Sequence, residues 1–228
     1  MRAVFFDLDG TLVSLPDDFA GVFEAALAAL GVRADAERHE YFTESFFDSL
    51  DECRPDPYRA AMADLRTEFD LDPSAEALAE RYVEREAAAT ALRPGAREAL
   101  DSLAATEADG SAAEVALGVL TNGGARGQRR KLAVHGLADY FDAVVVSAEV
   151  GAAKPDPEIF AAARDAVPAD EYAFVADDLD RDVRPARRAG FTGVYVTENG
   201  EPEPVAGDSA EGPDAVVGSL REVPALFE

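Results

Sequence analysis

Short, continuous apolar segments alternate along this chain with segments of helical spacing. Six apolar segments are predicted to be strands: Ala3–Phe6, Val115–Leu120, Val144–Val146, Tyr172–Ala176, Val194–Val196 and Ala215–Val217. Unbroken apolar runs of this length are typical of strands in a parallel sheet that is covered on both faces. Five segments between them are predicted to be helices: Ala96–Ala105, Gln128–His135, Pro157–Ala166, Asp182–Ala189 and Ser219–Phe227. Alternating strands and helices predict an α/β fold with a doubly wound parallel sheet.

Residues 15–92 interrupt this alternation. Four stretches there carry helical spacing and are separated by prolines: Phe19–Leu30, Ala36–Leu50, Tyr58–Phe69 and Ala75–Leu92. The simplest organisation is a helical insertion after the first strand. We therefore expect an α/β core formed by residues 1–14 and 93–228, and an inserted helical domain formed by residues 15–92. The stretch 198–214, rich in Gly, Pro and acidic residues, is predicted to be a surface loop.

The charge balance excludes some classes of partner. The chain has 46 Asp and Glu against 21 Lys and Arg, which gives a formal net charge of -25. Such a field repels nucleic-acid backbones and anionic membranes, so we expect neither as a partner. Only Lys131 and Lys154 are lysines. An acidic, lysine-poor chain with an apolar core is similar to proteins of salt-accumulating microbes, where concentrated salt screens surface repulsion.

Cysteine content and hydropathy bear on location. The single cysteine, Cys53, allows no intrachain disulfide and fits a reducing compartment. Asp7 and Asp9 interrupt the first apolar run, so a secretory leader is not predicted. No stretch approaches the roughly 18 apolar residues of a membrane helix. We expect a soluble cytoplasmic protein, and the sequence does not indicate its oligomeric state.

Two aspartates separated by one residue follow the first predicted strand, in the segment Asp7-Leu8-Asp9-Gly10-Thr11. Two carboxylates at the end of a buried strand are costly unless a cation or a proton relieves their repulsion. An ordinary Asp-Gly turn would use some of the same residues, so the segment does not decide the matter alone. The pair nevertheless points to a metal ion and to chemistry.

Polar residues also follow three later strands of the predicted sheet. They are Thr121-Asn122-Gly123, then Lys154-Pro155-Asp156 after a short loop, then the acidic run from Asp177 to Asp182. In open α/β sheets, ligands bind at the carboxyl ends of the strands, so we expect these groups to converge. Each could also be a turn or a solvated surface. Lys131, within Arg129-Arg130-Lys131, is predicted to be a surface residue because charge runs usually are.

In this order the four segments resemble the motifs of the haloacid dehalogenase-like hydrolase superfamily, specifically its phosphatase branch of the phosphoglycolate phosphatase type. Asp7 to Thr11 resembles motif I, Thr121 motif II, Lys154 motif III, and Asp177 with Asp182 motif IV. The helical insertion resembles that superfamily's C1-type cap. The resemblance covers nearly the whole chain and implies a Rossmann-like core. Motif IV departs from the family pattern at its flanking positions, with Ala176 and Arg181 where glycine and asparagine are common.

The resemblance implies a role for each of the first three motifs. Asp7 would be the nucleophile that forms an aspartyl-phosphate, and Asp9 would protonate the leaving oxygen and then activate water. Thr121 would hydrogen-bond the phosphoryl group, with Asn122 beside it in the substrate site. Lys154 would neutralise charge on both Asp7 and the phosphate.

The resemblance also implies a Mg²⁺ ion as the cofactor. Asp7, Asp177 and the main-chain carbonyl of Asp9 would hold it, and Asp182 would order that site. Mg²⁺ prefers oxygen ligands and keeps several waters, which suits such a set. Whether Asp178 takes part is left open.

The expected function is therefore Mg²⁺-dependent hydrolysis of a small phosphorylated metabolite. Asp9 argues against the dehalogenase branch, and residues 15–92 contain no lysine for the Schiff base of the phosphonate-cleaving branch. A phosphomutase and a non-catalytic regulatory or binding protein on the same scaffold remain alternatives. Phe42, Phe46 and Phe47 are predicted to pack in the core of the helical insertion. The sequence does not indicate which phosphorylated metabolite is the substrate.

Overall fold

The computed structural model describes residues 1–108, 115–197 and 212–227. Its strands are β1 (Arg2–Phe6), β2 (Val13–Ser14), β3 (Ala91–Leu92), β4 (Val115–Thr121), β5 (Ala143–Val146), β6 (Glu171–Ala176), β7 (Thr192–Val196) and β8 (Ala215–Val217). Within the described residues, six of them form one parallel sheet in the order β5-β4-β1-β6-β7-β8. The predicted α/β fold with a parallel sheet is confirmed. Most of the loop predicted at 198–214 lies outside the described residues.

The described residues contain nine α-helices, of which eight fall on segments predicted to be helical and one, Ser147–Val150, was not predicted. They are α1 (Phe19–Ala28), α2 (Ala36–Asp51), α3 (Pro57–Glu68), α4 (Ala75–Ala89), α5 (Ala96–Ala108), α6 (Ala125–Val134), α7 (Ser147–Val150), α8 (Pro157–Ala166) and α9 (Arg184–Arg188). Within the described residues, every helix is too short or too polar to cross a bilayer.

Three predicted helix boundaries are wrong. The helix predicted to reach Leu92 ends at Ala89, because Ala91–Leu92 pairs with Val13–Ser14 as a short antiparallel ribbon. The helix predicted from Asp182 begins as a π-helical turn at Leu179–Val183 and continues as α9. The helix predicted at Ser219–Phe227 is a pair of 3₁₀ turns, because Pro224 has no N–H to donate and starts a new turn.

Both faces of the sheet are covered by apolar side chains. On β1, Val4 and Phe6 pack on the face covered by α5, whereas Ala3 and Phe5 pack on the face covered by α8. This alternation is the two-residue period of a strand. Because both faces are filled in this way, polar groups on the chain gather at the ends of the strands.

Residues 15–92, all of them described, contain α1 to α4 and a core of their own. The side chains that are almost completely buried in it include Phe23, Leu27, Phe42, Met62, Leu65 and Leu78. The four helices begin at side chains that accept a hydrogen bond from the first turn, namely Asp18, Asp35, Asp56 and Ser74. We refer to residues 15–92 as the helical unit.

The helical unit packs against α6, the helix that follows β4. Arg126 on α6 pairs with Asp56 at 2.9 Å and with Glu76 at 2.6 Å. Gly127 lies beside Tyr58 of α3, and a Cβ at Gly127 would stand 2.6 Å from the tyrosine hydroxyl oxygen. Glycine is therefore required for this close approach. These contacts place the helical unit beside the carboxyl end of β4.

Candidate active site

The carboxyl ends of the central strands bring the predicted site residues together. Asp7 directly follows β1, and its N–H donates to the carbonyl of Val175 in β6 at 3.0 Å. Thr121 is the last residue of β4, and Asp177 directly follows β6. Since β1 lies between β4 and β6, the three side chains emerge side by side at one edge of the sheet. This is where open α/β sheets bind their ligands.

Lys154 lies between two buried carboxylates. Its Nζ is 2.8 Å from Oδ1 of Asp7 and 3.1 Å from Oδ1 of Asp182. All three side chains are almost fully buried. Burial raises the pKa of Asp7, and burial raises the pKa of Asp182 to about 6, although Lys154 opposes both changes. One buried ammonium group thus serves two carboxylates, with only the half-exposed guanidinium of Arg181 as a further cation beside Asp182 among the described residues.

Asn122 fixes the backbone that carries Lys154. Its Nδ2 donates to the carbonyl of Lys154 at 3.0 Å, and its Oδ1 accepts from the N–H of Lys154 at 2.8 Å. The structure therefore places the carboxamide of this predicted substrate-binding residue on the loop behind the lysine. These two bonds hold the backbone of Lys154, and Asn122 also lines the cleft over the site, so its role in substrate binding stays a prediction.

A second lysine contacts the second aspartate. Lys131 is 2% exposed, and its Nζ lies 2.9 Å from both carboxylate oxygens of Asp9. The prediction that Lys131 lies at the surface is wrong. Arg129 and Arg130 are about half exposed, at 51% and 50%, whereas Lys131 follows on the face of α6 that meets Asp9. Successive helical residues point in different directions, so a run of three charges need not share one face.

Comparison with known proteins shows the family of the chain. The haloacid dehalogenase-like hydrolase family matches residues 1–190. The chain belongs to this family. A phosphoserine phosphatase from Thermus thermophilus is 46% identical over 111 residues, which are 48% of this chain and 43% of that protein. N-acylneuraminate-9-phosphatase from Homo sapiens is 30% identical, with 100% of this chain and 94% of that protein aligned.

Solved structures agree with the assignment. A 2-haloacid dehalogenase from Pseudomonas syringae pv. Tomato DC3000 has a TM-score of 0.74 and 25% identity, covering 99% of this chain and 97% of that one. The match to the phosphoserine phosphatase spans less than half of that protein's length. The predicted membership of the haloacid dehalogenase-like hydrolases is confirmed, and so is the prediction of a hydrolase.

In this hydrolase, four residues around Asp9 form a buried polar network that the sequence did not indicate: Tyr58, Glu86, Gln128 and Lys131. Gln128 Nε2 lies 2.9 Å from each of three acceptors, Asp9 Oδ2, Thr121 Oγ1 and the carbonyl of Asn122. The hydroxyl of Tyr58 donates to Oε2 of Glu86 at 2.7 Å.

The charges of this network depend on each other. Lys131 Nζ lies 3.9 Å from Oε1 of Glu86 as well as close to Asp9. Burial alone would lower the pKa of Lys131, but the carboxylates of Asp9 and Glu86 outweigh it and raise that pKa. Burial raises the pKa of Glu86, against the opposing influence of Lys131. The helical unit, through Glu86, is thus coupled to the lysine that holds Asp9.

One signal could have found this network. Leu78, Tyr82 and Glu86 are spaced four residues apart on α4, and the first two belong to the core of the helical unit. A carboxylate at the next position of an apolar stripe is buried, and a buried carboxylate needs a partner. The partner itself could not be named, because it lies on a helix of the other part of the chain.

The motif IV side of the site is built around Asp177. Oγ1 of Thr11 donates to Oδ1 of Asp177 at 2.7 Å, and burial raises the pKa of Asp177. Gly10 has a φ of +91°, and a Cβ there would stand 2.4 Å from Oδ2 of Asp177. Only glycine lets the motif I loop pass this close to the carboxylate.

The residues present fit a cation at this edge of the sheet. Oδ2 of Asp182 is buried without a hydrogen-bond donor among the described residues. Asp7, Asp177 and Asp182 all have pKa values raised by burial. No group of three or more His, Cys, Asp or Glu side chains in the described ranges is already arranged around one metal position. Mg²⁺ is usually bound through one or two carboxylates, with waters and substrate phosphate completing its coordination.

A cleft of about 670 Å³ opens over these residues. Asp7, Asp9, Thr121 and Lys154 all contribute to its wall, and so does Arg181. Arg181 lies 3.5 Å from Oδ1 of Asp182 and keeps its side chain about half exposed. The cleft therefore brings two carboxylates, a hydroxyl and an ammonium group to one space.

Proposed function

We propose that this hydrolase is a Mg²⁺-dependent phosphatase that cleaves small phosphorylated metabolites through an aspartyl-phosphate. The observation that carries the proposal is the pairing of each motif I aspartate with its own buried lysine, Lys154 with Asp7 and Lys131 with Asp9. Both curated relatives described above are named as phosphatases, of phosphoserine and of N-acylneuraminate 9-phosphate, which supports the same reaction class.

Asp7 is the nucleophile in this proposal. One of its carboxylate oxygens forms a bond to phosphorus while the bond between phosphorus and the ester oxygen breaks. Lys154 holds the attacking carboxylate and lowers the repulsion between it and the anionic phosphoryl group. The hydroxyl of Thr121, at the end of β4, accepts from Gln128 at 2.9 Å and donates to the carbonyl of Asn122 at 3.2 Å. In this proposal it exchanges the long bond to that carbonyl for a bond to a phosphoryl oxygen of the substrate.

Asp9 moves the protons. It gives a proton to the leaving oxygen as the ester bond breaks, and the product alcohol departs. It then takes a proton from a water molecule that attacks phosphorus, so that inorganic phosphate forms and the Asp7 carboxylate is released. Lys131 and Gln128 hold the Asp9 carboxylate in place for both steps.

Asp7, Asp177 and the main-chain carbonyl of Asp9 would hold Mg²⁺, with Asp182 close by. When bound, the ion would supply positive charge to the phosphoryl oxygens and to the carboxylates that burial disfavours. Residues 15–92 would act as the cap, since they lie against α6 and close one side of the cleft through Phe47 and Leu50.

The test is release of inorganic phosphate from acetyl phosphate and p-nitrophenyl phosphate, with added Mg²⁺ and with EDTA. We expect activity with Mg²⁺ and a loss with EDTA that Mg²⁺ reverses. Asp7→Asn should reduce turnover by at least about 10³-fold, because the nucleophile is lost, and its thermal unfolding controls for folding.

Two results would contradict the proposal. One is near-normal turnover by pure Asp7→Asn protein, and the other is release of halide from 2-chloropropionate without any phosphatase activity. The second result would follow the structural likeness to a 2-haloacid dehalogenase instead.

A further inference from the structure

A second, smaller cavity of about 290 Å³ opens beside Asp9, between the helical unit and α6. Six phenylalanine and tyrosine side chains line it: Phe19, Phe42, Phe46, Phe47, Tyr58 and Tyr82. Asp9, Gln128 and Lys131 form its polar end. We call it the aromatic cavity. An engineered cavity of about 150 Å³ with apolar walls binds benzene, so this volume has room for an aromatic ring and a short linker.

We propose that the aromatic cavity receives the leaving group of the substrate, and that this group is an alcohol bearing an aromatic ring. The inference rests on the proposed phosphatase function and adds the class of substrate. It follows from where the cavity lies, which polar groups it offers and which apolar groups stand at its rim.

The position of the cavity fits the leaving side of the reaction. Asp7 and Lys154 line the larger cleft and not the aromatic cavity, whereas Asp9 lines both. A phosphoryl group placed against Asp7 therefore lies in the cleft. The ester oxygen must lie next to Asp9, which protonates it. The carbon skeleton attached to that oxygen then extends past Asp9 into the aromatic cavity.

The polar groups at the Asp9 end of the cavity are already engaged with one another. Lys131 is held by Asp9 and Glu86, and Glu86 accepts from Tyr58. Gln128 Nε2 has three acceptors within the protein. Next to these groups, a sugar or an amino acid would bury several hydroxyl or charged groups, and His39 and Thr43, which also line the cavity, are too few to pair with all of them. An aromatic ring makes no such demand, and aromatic walls can stack against it.

The rim of the cavity exposes large apolar side chains. Leu15 is 44% exposed and Phe47 is 58% exposed, and both also border the cleft. The prediction that Phe47 packs in the core of the helical unit is wrong, whereas Phe42 is buried there as predicted. Exposed apolar groups gathered at the mouth of a cleft are typical of a binding site.

The experiment compares two alkyl phosphates, 2-phenylethyl phosphate and glycerol 3-phosphate. Both esters release an alcohol, so a difference in their kcat/KM reflects the fit of the leaving group in the cavity more than the acidity of that group. We expect kcat/KM to be at least about tenfold higher for 2-phenylethyl phosphate, which is the usual scale for a hydrophobic pocket. Acetyl phosphate, whose leaving group is too small to fill the cavity, reports the phosphoryl chemistry alone.

Phe47→Ser tests the cavity directly, because Phe47 is exposed and its loss should leave the fold intact. We expect it to lower kcat/KM for 2-phenylethyl phosphate by about threefold to tenfold more than it lowers kcat/KM for acetyl phosphate, whose leaving group does not reach the cavity wall. Val134→Ser is the matched control, since Val134 is 47% exposed and borders neither cavity. It should change neither activity.

The outcomes separate the two proposals. If the wild-type protein releases no phosphate from any of the three substrates, the phosphatase function is overturned. If acetyl phosphate is hydrolysed and kcat/KM for glycerol 3-phosphate equals or exceeds that for 2-phenylethyl phosphate, only the inference of an aromatic substrate is overturned. Binding of the product alcohol 2-phenylethanol, followed by ligand-observed NMR, gives a readout that needs no turnover. We expect it to bind wild type better than Phe47→Ser, and no detectable binding would also overturn the inference.

Discussion

The two lysines of this chain hold the two aspartates of motif I in matching ways, although they come from different kinds of structure. Lys154 lies in a loop at the sheet edge and shares its ammonium group between Asp7 and Asp182. Lys131 lies on α6 and shares its ammonium group between Asp9 and Glu86. All other basic side chains apart from the two histidines are arginine. Lysine is thus kept at the two places where a compact buried cation meets a carboxylate of motif I.

The difference between the two pairs lies in what surrounds them. The partners of Lys154 belong to the strand ends of the core. Glu86 and its donor Tyr58 belong to α4 and α3, so the Lys131 pair joins the core to the helical unit. We therefore expect Lys154 to act on the phosphoryl group of any substrate. Lys131 should act through Asp9, and its effect should depend on the leaving group.

The largest effect is expected for Lys154→Met. The change removes the cation next to the nucleophile and leaves Asp7 and Asp182 buried without it. Turnover should fall about 10²–10³-fold, equally for acetyl phosphate and for an alkyl phosphate. The two turnover numbers, measured at saturating Mg²⁺, check this. A loss confined to one class of leaving group would show that Lys154 does not act at the phosphoryl group.

A smaller and more selective effect is expected for Lys131→Met. Asp9 would keep Gln128 but lose its ammonium partner, so proton transfer to the leaving oxygen would suffer. Alkyl phosphate hydrolysis should fall about tenfold to 100-fold, less than for loss of a general acid itself, and acetyl phosphate hydrolysis should fall less. Arg130→Met on the same helix is the control, since Arg130 is half exposed. Equal losses for both substrates would mean that Lys131 is only structural.

The same pair shows what could and could not be predicted from the sequence. Asp7, Thr121 and Asp177 directly end or follow strands, and parallel strands share one edge, so their convergence followed from strand order. Lys154 follows after a short loop and could be included in that argument. The position of Lys131 depended on the rotation of α6, and within a charge run the sequence does not show which member points inward.

Glu86 was harder still to predict. It needed both the apolar stripe of α4 and the docking of the helical unit on α6. The stripe is local and visible in the sequence, whereas the docking depends on close contacts such as that of Gly127 with Tyr58. The strands and most helices were predicted because they depend on local periodicity. The helix predicted at Ser219–Phe227 was wrong, because Pro224 divides a segment that has helical spacing.

Glu86→Gln should change stability in a pH-dependent way. Burial raises the pKa of Glu86, so the folded protein binds its proton more tightly than the unfolded chain does. Its contribution to stability is therefore present below its ordinary pKa and is lost as the pH rises through the raised value. Glutamine keeps an acceptor for Tyr58 and does not titrate. The free energy of unfolding of the variant, relative to wild type, should rise between about pH 4 and pH 8.

Glu80→Gln on the same helix is the control for that measurement, since Glu80 is exposed. Its difference from wild type should stay flat with pH. A difference for Glu86→Gln that falls as the pH rises would show that Glu86 is better stabilised as a carboxylate, held by Lys131, than as the neutral acid. The two lysine pairs would then be more alike than the structure indicates.

The smallest effect on the two lysine pairs is expected from salt. A net charge of -25 produces repulsion among surface carboxylates, and the screening length falls from ~10 Å at 0.1 M salt to ~3 Å at 1 M. Thermal unfolding should therefore shift to higher temperature from about 0.1 to about 3 M KCl. Lys131 and Lys154 are buried and contact Asp9, which is 22% exposed, and Asp7, which is buried, so both pairs are screened less than surface carboxylates are. The ratio of alkyl phosphate to acetyl phosphate turnover should accordingly stay constant while the unfolding temperature rises.

An unfolding temperature that stays flat or falls with KCl would show that the acidic surface is not an adaptation to salt. A turnover ratio that drifts with KCl would show instead that solvent ions reach Asp9, so that the Lys131 pair is not the closed contact that its burial implies.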